Sequence, residues 1–571
     1  MKPSVTSVYQ DFIWRGTQQD LAADLYGSPI VTMGEVVLEF PKILAEYKDR
    51  LWHSEERMKL LRKTLIKANR ELACLTPSVK ENIEQLSNGI VEAAHQSVVM
   101  GGPAYILNKA ITAERISSFS VQQGLDVVPV FFVADYDIVQ SELVNIRTPN
   151  MGHDGNLLSL PVPRGYEHSP VSGLPLPEIG WYNAIEENLR NSYRPFLKPL
   201  DKPVQTLFEE RLEQALAITR WGFVNSKTLG DWAQKIIGRL LNIEGNLGIP
   251  IIPASDEVFR DLIVTGMEFF LAKKQRDGFL KAHERATDLI VKSGFRPGAG
   301  SRKPNYVPFY YECPEKECNR SRTELFYEEK GTKAVLTGTC PSCGQNVDIE
   351  TPANNPSLGD VGRYLSPRVD SRQLIVDTVL PIVAHVGGGG ETAYYAQVIP
   401  IAKALPVPFP AFLKYPRVYF NTPWNESLAG VLKDKGLSTL HKPELFRLMG
   451  KTNRFRKKAK HDEMNESIRS LLSVILESHK ELNASLEDLR EQRKTTTGDE
   501  LKQLLTDILD IERYLSWAFG QYAENKLGQE ASWSWIEWML NSGAHDLFGP
   551  YRRAYVPYVK NGATLFVNFS V

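Results

Sequence analysis

The chain reads as an α/β protein with a parallel sheet, a cysteine-bearing insertion and a long antiparallel helical hairpin, and three observations predict this. A glycine-containing turn, a helix and a short apolar strand follow one another in "HQSVVMGGPAYILNKAITAERIS" and "LDVVPVFFVADYD". That order builds parallel sheets. Four of the five cysteines fall in two close pairs. Apolar residues recur every three to four positions through two runs of the last third, the period of amphipathic helices.

At 571 residues the chain exceeds a single compact core and divides into several units. Lys plus Arg number 67 against 68 Asp plus Glu, so no global charge draws it to nucleic acid or anionic membrane. No apolar run reaches a membrane span. The opening "MKPSVTSVYQDFIW" lacks the pattern of a secretory signal. The expected location is the cytoplasm.

From Gly34 to about Asn88 the pattern is helical, with Leu51, Met58, Leu61 and Leu65 on one face. Thr76 is a good N-cap, Pro77 suits the first helical position, and Ser78 with Glu81 has capping-box spacing. After the turn at "MGG" a helix starts near Pro103. The Val and Phe run that follows is a buried strand ending at Asp135 and Asp137, where parallel sheets place ligands. Residues 150–180 form an irregular surface excursion with His153 and His168 in it. Helical pattern resumes from Pro203 to Leu241, and "GIPIIPASDEVFRDL" gives a short strand, a turn and a helix capped near Ser255.

Cys313, Cys318, Cys340 and Cys343 are spaced C-x4-C and C-x2-C with 21 residues between the pairs. Two such turns can set four thiolates tetrahedrally around zinc. With "TELFYEE" and "KAVLTGT" alternating between them, the segment is expected to be a zinc ribbon. Four thiolates leave no open position for water, so the zinc is structural. Lys316, Arg320, Arg322, Lys330 and Lys333 are countered by six glutamates nearby, which leaves a weak electrostatic case for nucleic acid. Cys74 lies in a helical pattern, as a small buried apolar residue would.

Between residues 465–493 and 500–522 the two apolar stripes are separated by "KTTTGDEL", where Gly498 breaks the helix. The expectation is an antiparallel hairpin, a coiled coil acting as the arm of a homodimer.

"YLSPRVDSRQLIVDTVLPIVAHVGGGGETAYYAQV", with the turn-and-helix segment, the "VVPVFFVADYD" strand and "KTLGDWAQKIIGRLLNIEGNLGIPIIPASD", resembles in order the BshC family, the cysteine-adding enzymes of bacillithiol biosynthesis. The likeness covers most of the chain. It implies a Rossmann-like core related to class I aminoacyl-tRNA synthetases, with boundaries at 1–300 for the N-terminal helices and core, 301–355 for the ribbon, 356–450 for the rest of the core, 451–530 for the coiled coil and 531–571 for the C-terminal segment.

The implied reaction joins cysteine to an amine-bearing small molecule such as glucosaminyl-malate, with ATP to activate the carboxyl. On the resemblance, the catalytic candidates are His95, Gln96, Asp135, Asp137 and Glu391. Gly102, Pro103, Tyr105, Lys109, Gly387, Gly388, Tyr394 and Arg553 would bind substrate or nucleotide. The glycine run would let backbone N–H groups approach an anion, with Glu391 binding an amine or capping the next helix. Where the family has Glu-Asp-His-Asp after its Pro-Val-Phe strand, this chain has Ala134, Asp135, Tyr136 and Asp137. Two alternatives stay open: a divergent binding or assembly protein on the same fold, and a tRNA-related enzyme, whose His-x-Gly-His signature is vestigial in "HQSVVMGG".

Overall fold

The computed structural model describes the chain except for residues 1, 28, 49–53, 150–155, 199, 406, most of 424–459, 523–528 and 570–571. Leu51 and His153 lie outside the described residues. The helical N-terminal stretch resolves into α1 (Thr6–Arg15), α2 (Gln19–Tyr26), α3 (Phe40–Lys48), α4 (Glu55–Glu71) and α5 (Pro77–Glu84). Thr76 caps α5 by accepting from the Val79 N–H at 3.2 Å. Ser78 and Glu81 therefore sit inside that helix and do not form its capping box.

The next element was not legible as a strand. β1 (Ile90–Gln96) carries Glu92 and His95 in "IVEAAHQ", which breaks both the apolar run and the alternation that mark strands. α6 (Tyr105–Val121) and β2 (Val128–Ala134) follow as expected, and β2 is buried throughout. α7 (Ser141–Val144) and β3 (Asn145–Thr148) precede the predicted excursion, which contributes β4 (Asn156–Ser159) to a two-stranded hairpin with β3. α8 (Ile179–Leu197), α9 (Lys202–Val224) and α10 (Leu229–Gly238) come next. The helical pattern expected from Pro203 to Leu241 is thus carried by α9 and α10, with Thr228 capping α10. After β5 (Ile251–Pro253), α11 (Glu257–Leu271) is capped near Ser255 as expected, by Asp256, whose carboxylate accepts from the Val258 and Phe259 N–H groups at 3.0 Å. α12 (Lys273–Lys292) leads to the insertion.

The insertion is larger than a single hairpin. β6 (Tyr306–Glu312), β7 (Arg322–Lys330), β8 (Lys333–Thr339), β9 (Asn346–Pro352) and β10 (Leu365–Pro367) form an antiparallel sheet in the order β10-β6-β7-β8-β9. The chain returns to the core through α13 (Arg372–Val376), β11 (Ile382–Gly387), α14 (Gly389–Ala404) and β12 (Ala411–Lys414). β13 (Arg417–Asn421) leaves the core sheet and pairs in parallel with the C-terminal β14 (Thr564–Asn568).

The core sheet is parallel, in the order β12-β11-β1-β2-β5. From β1 the chain builds outward through β2 to β5, then restarts on the other side of β1 with β11 and β12. The strand order therefore reverses between β1 and β11, and open α/β sheets bind ligands beyond the strand C-termini at such a reversal. Both faces are covered. Val91, Ala93 and Val133 pack towards Trp232 and Trp535, whereas Ile90, Phe132 and Ile382 pack towards Phe259 and Tyr395.

α15 (His461–Arg493) and α16 (Gly498–Tyr522) pack on one another as a hairpin, with Gly498 at φ 71° at the turn. Leu482, Leu486, Leu504, Ile508 and Ile511 are buried along it, so this part of the apolar stripe is covered within one chain. α17 (Gln529–Ser532), α18 (Trp535–Ser542) and α19 (Gly549–Ala554) complete the fold. No helix among the described residues is long and apolar enough to cross a membrane.

Candidate active site

The turn after β1 is where the backbone is most constrained. Met100, Gly101 and Gly102 all have positive φ, at 56°, 79° and 92°. A Cβ on Gly101 would lie 2.6 Å from Ile236 Cγ2, and one on Gly102 2.5 Å from Ile106 Cδ1, so both positions need glycine for conformation and for space. The Trp535 indole N–H donates to the Met100 carbonyl at 2.7 Å. This fixes Pro103 and delivers Tyr105 to the start of α6.

His95, Gln96, Pro103 and Tyr105 form one wall of a cleft of about 450 Å³, and Ser141, Glu142, Asn145 and Arg147 line the other. His95 Nδ1 is 2.9 Å from the Gln96 carbonyl and Nε2 is 2.7 Å from the Tyr105 hydroxyl. A carbonyl only accepts, so Nδ1 carries the hydrogen and Nε2 of the neutral ring accepts from Tyr105. Burial pushes the Tyr105 phenol above its ordinary range, aided by nearby Glu391. It stays a donor. The result is a basic nitrogen held at the cleft with a hydroxyl already on it.

Behind this wall, α6 and α14 are tied across the reversal point. Lys109, almost wholly buried, donates to the Ala94 carbonyl at 3.0 Å and pairs with Glu391 at 2.5 Å. The other Glu391 oxygen accepts from the Gly388 N–H at 3.1 Å. Burial pushes the Glu391 carboxyl up, but the Lys109 ammonium outweighs it and holds the group down at about 2. Glu391 thus both caps its helix and binds an amine, and that amine belongs to the protein. Gly388 has φ −102°, so the run does not demand left-handed backbone. Gly387 is required for space, because a Cβ there would collide with the Phe412 ring.

The two aspartates differ. Asp135 is buried and accepts from the Ser255 N–H at 2.8 Å, the Ser255 hydroxyl and the Gln234 amide at 2.7 Å. Burial pushes its carboxyl up to about 6 against those bonds and Arg260. Its oxygens are committed to the fold. Asp137 accepts from the Gln96 side-chain amide at 3.0 Å and pairs with Arg322 at 3.4 Å. Tyr394, next to Tyr395, bonds Arg372. Arg553 stands apart, paired with Asp546 at 3.2 Å on a smaller cleft of about 280 Å³ with Glu244 and His545.

Sequence reasoning missed the second wall of the cleft, because Glu142, Asn145 and Arg147 lie in a segment without strand or helix periodicity. It also missed the fully buried pair of Glu92 and His385, 2.5 Å apart on paired strands. A lone Glu and a lone His in two apolar runs were the available signal.

The sulfurs of Cys313, Cys318, Cys340 and Cys343 all lie within 4.8 Å of one another, and those of Cys318 and Cys340 are 3.8 Å apart. Zinc–sulfur bonds of about 2.3 Å in a tetrahedron put sulfurs about 3.8 Å apart. The donor set fits zinc. Cys74 is buried elsewhere, its thiol pushed up to about 12 by burial.

Residues 37–417 match the family model described as bacillithiol biosynthesis BshC, N-terminal Rossmann-like domain. Relatives named "Putative cysteine ligase BshC" include one from Natranaerobius thermophilus, 25% identical over 60% of this chain and 56% of the relative. One from Desulforamulus reducens is 24% identical over 65% and 64%, and one from Lysinibacillus sphaericus 23% over 72% and 70%. The alignment spans less than two thirds of the first two relatives. With its parallel sheet and the family match over most of its length, the chain belongs to the BshC family.

Proposed function

We propose that the protein is a carbon–nitrogen ligase that joins the carboxyl of an amino acid, cysteine first, to the amine of a small molecule such as glucosaminyl-malate, with ATP activating the carboxyl. The observation that carries this is the cleft at the reversal point, where the His95 ring and the Tyr105 hydroxyl meet beside the Glu142 carboxylate. Once the carboxyl is a mixed anhydride with phosphate, the amine attacks its carbonyl carbon. The C–N bond forms, the C–O bond to phosphate breaks, and the amine proton passes through Tyr105 to His95 Nε2. Gln96 and Asp137 orient the amine. Lys109 with Glu391 sets the charge behind the wall, and zinc on the four cysteines is structural. The core's kinship to class I synthetases, the five units bounded as above and a homodimer through the hairpin belong to the same reading.

Incubating the purified protein with cysteine, glucosaminyl-malate and ATP should yield a product whose mass is the sum of the two acceptors less water. His95→Gln should lower turnover by about a hundredfold or more, with the thermal transition retained. No product, together with no stabilisation by ATP or either acceptor, would defeat the reading. Ala134 and Tyr136, which stand where the family has Glu and His, favour a second reading as a binding protein. That reading predicts stabilisation by ligand without product.

A further inference from the structure

The cysteine module reaches the residues beside the cleft through a short path. Cys318 is followed by Asn319 and Arg320, consecutive non-glycine residues at φ 49° and 58°. Arg rarely adopts this left-handed backbone and Asn only as a single residue, so the turn persists because its surroundings hold it. On the ribbon side those surroundings are the cysteine knuckle, where the Ser321 N–H donates to the Cys318 carbonyl at 2.8 Å and the Cys313 N–H to the Ser321 carbonyl at 2.9 Å. On the outer side the Asn319 amide donates to the Gly165 carbonyl at 3.3 Å and Arg320 to the Arg363 carbonyl at 3.1 Å. A metal on Cys313 and Cys318 would clamp both ends of this turn.

The turn aims two arginines at the core. Arg320 pairs at 2.8 Å with Glu312, whose other oxygen takes Arg260 at 2.9 Å. Arg322 lies over the Tyr310 ring, donates to the Tyr136 carbonyl at 3.3 Å and pairs with Asp137 Oδ1 at 3.4 Å. Asp137 Oδ2 accepts from the Gln96 amide at 3.0 Å, and the Gln96 carbonyl accepts from His95.

We propose that Arg322 is a positioning residue through which metal occupancy of the cysteine cluster sets the conformation of Gln96 and the turn after β1. With metal bound, the left-handed turn is held, Arg322 stays on Asp137, and Asp137 presents Oδ2 to Gln96. With metal removed, the turn relaxes, Asp137 loses its counter-charge, and the Gln96 side of the cleft loosens. The coupling rests on the zinc assignment, and only its effect on turnover rests on the ligase reading.

The test is a double-mutant cycle on the full-length protein, read by hydrogen exchange of residues 96–102 with zinc bound and after chelation. In the unmodified protein, chelation should raise exchange there about threefold or more. In Arg322→Met, exchange should already be raised with zinc bound and should not rise again, since two changes on one path are non-additive. Arg322→Lys should restore part of the protection. Asp137→Asn cuts the path from the core side and should behave like Arg322→Met, which covers failure of either variant to fold. Zinc should still raise the thermal transition of the ribbon in both. Unchanged exchange on chelation, or additive effects of chelation and Arg322→Met, would overturn the proposal. Where turnover is measured, Arg322→Met should lower kcat with KM for ATP unchanged. Coupled exchange without turnover in the unmodified protein would sink the ligase reading and leave the coupling standing.

Discussion

The parallel and antiparallel sheets each have five strands, yet the charge pairs made between their own elements sit differently. In the parallel sheet the pairs are internal: Glu92 with His385 is fully buried, and Lys109 with Glu391 nearly so. In the antiparallel sheet the pairs made within the sheet lie outside, as in Lys333 with Glu350 and Lys330 with Glu328, while the buried Glu312 of β6 takes its partner Arg260 from α11, outside the sheet. Exposed pairs of that kind contribute about 0–1 kcal/mol. Apart from Glu312 with its arginines, the antiparallel sheet therefore takes its stability from its small core and its four sulfurs. The parallel sheet can keep buried charge only because each is paired.

The largest way to break this contrast is Cys340→Ser. Structural zinc sites supply about 10 kcal/mol or more of binding free energy, so the variant should bind less than about half an equivalent of metal and lose exchange protection across β7, β8 and β9. The core transition should persist. Loss of both together would show that the two sheets fold as one unit.

Next in size is Glu391→Gln, which leaves Lys109 buried without a counter-ion and should cost about 3 kcal/mol or more by chemical denaturation at pH 7. The pH dependence has a definite sign. Glu391 is held at about 2, below its unfolded value of about 4.3. Its contribution is thus full above that unfolded value and is lost as pH falls towards 2. The variant should differ least from the unmodified protein near pH 2. A constant difference across pH would remove the ion pair from the explanation.

The smallest effect separates two glycines of one run. Gly387→Ala meets the Phe412 ring and should cost about 1–3 kcal/mol, whereas Gly389→Ala meets nothing within 4 Å and should fall within about 0.5 kcal/mol. Equal effects in thermal denaturation would mean that packing does not distinguish them.

What the sequence made legible followed from local chemistry. The four cysteines and the β2 run declare themselves within a few residues. The reversal point does not, because β1 carries Glu92 and His95, and each is understood only against a partner elsewhere in the chain. Glu391 was readable as a helix cap, but its amine, Lys109, lies 282 residues away. Arg322 looked like one basic residue among several on the ribbon. Its partner Asp137 is 185 residues distant. The glycine run suggested an unusual backbone, yet beside the cleft the positive-φ residues are Met100, Gly101 and Gly102. Conformational need shows in φ, and glycine spacing alone does not carry it.

The pairing of β1 with β11 has a consequence in time. Glu92 and His385 are 293 residues apart, and the whole antiparallel sheet lies between them in the chain. At synthesis rates of about 5–20 residues per second, β1 leaves the ribosome about 15–60 seconds before its neighbour exists. The cysteine sheet is complete earlier, since its strands are contiguous. During that interval one edge of β1 is open, and Glu92 has no His385 ring to bond it. A charged residue at an unpaired edge discourages wrong strand pairing. The same carboxylate that later completes a buried pair can thus guard the nascent sheet against association with other chains.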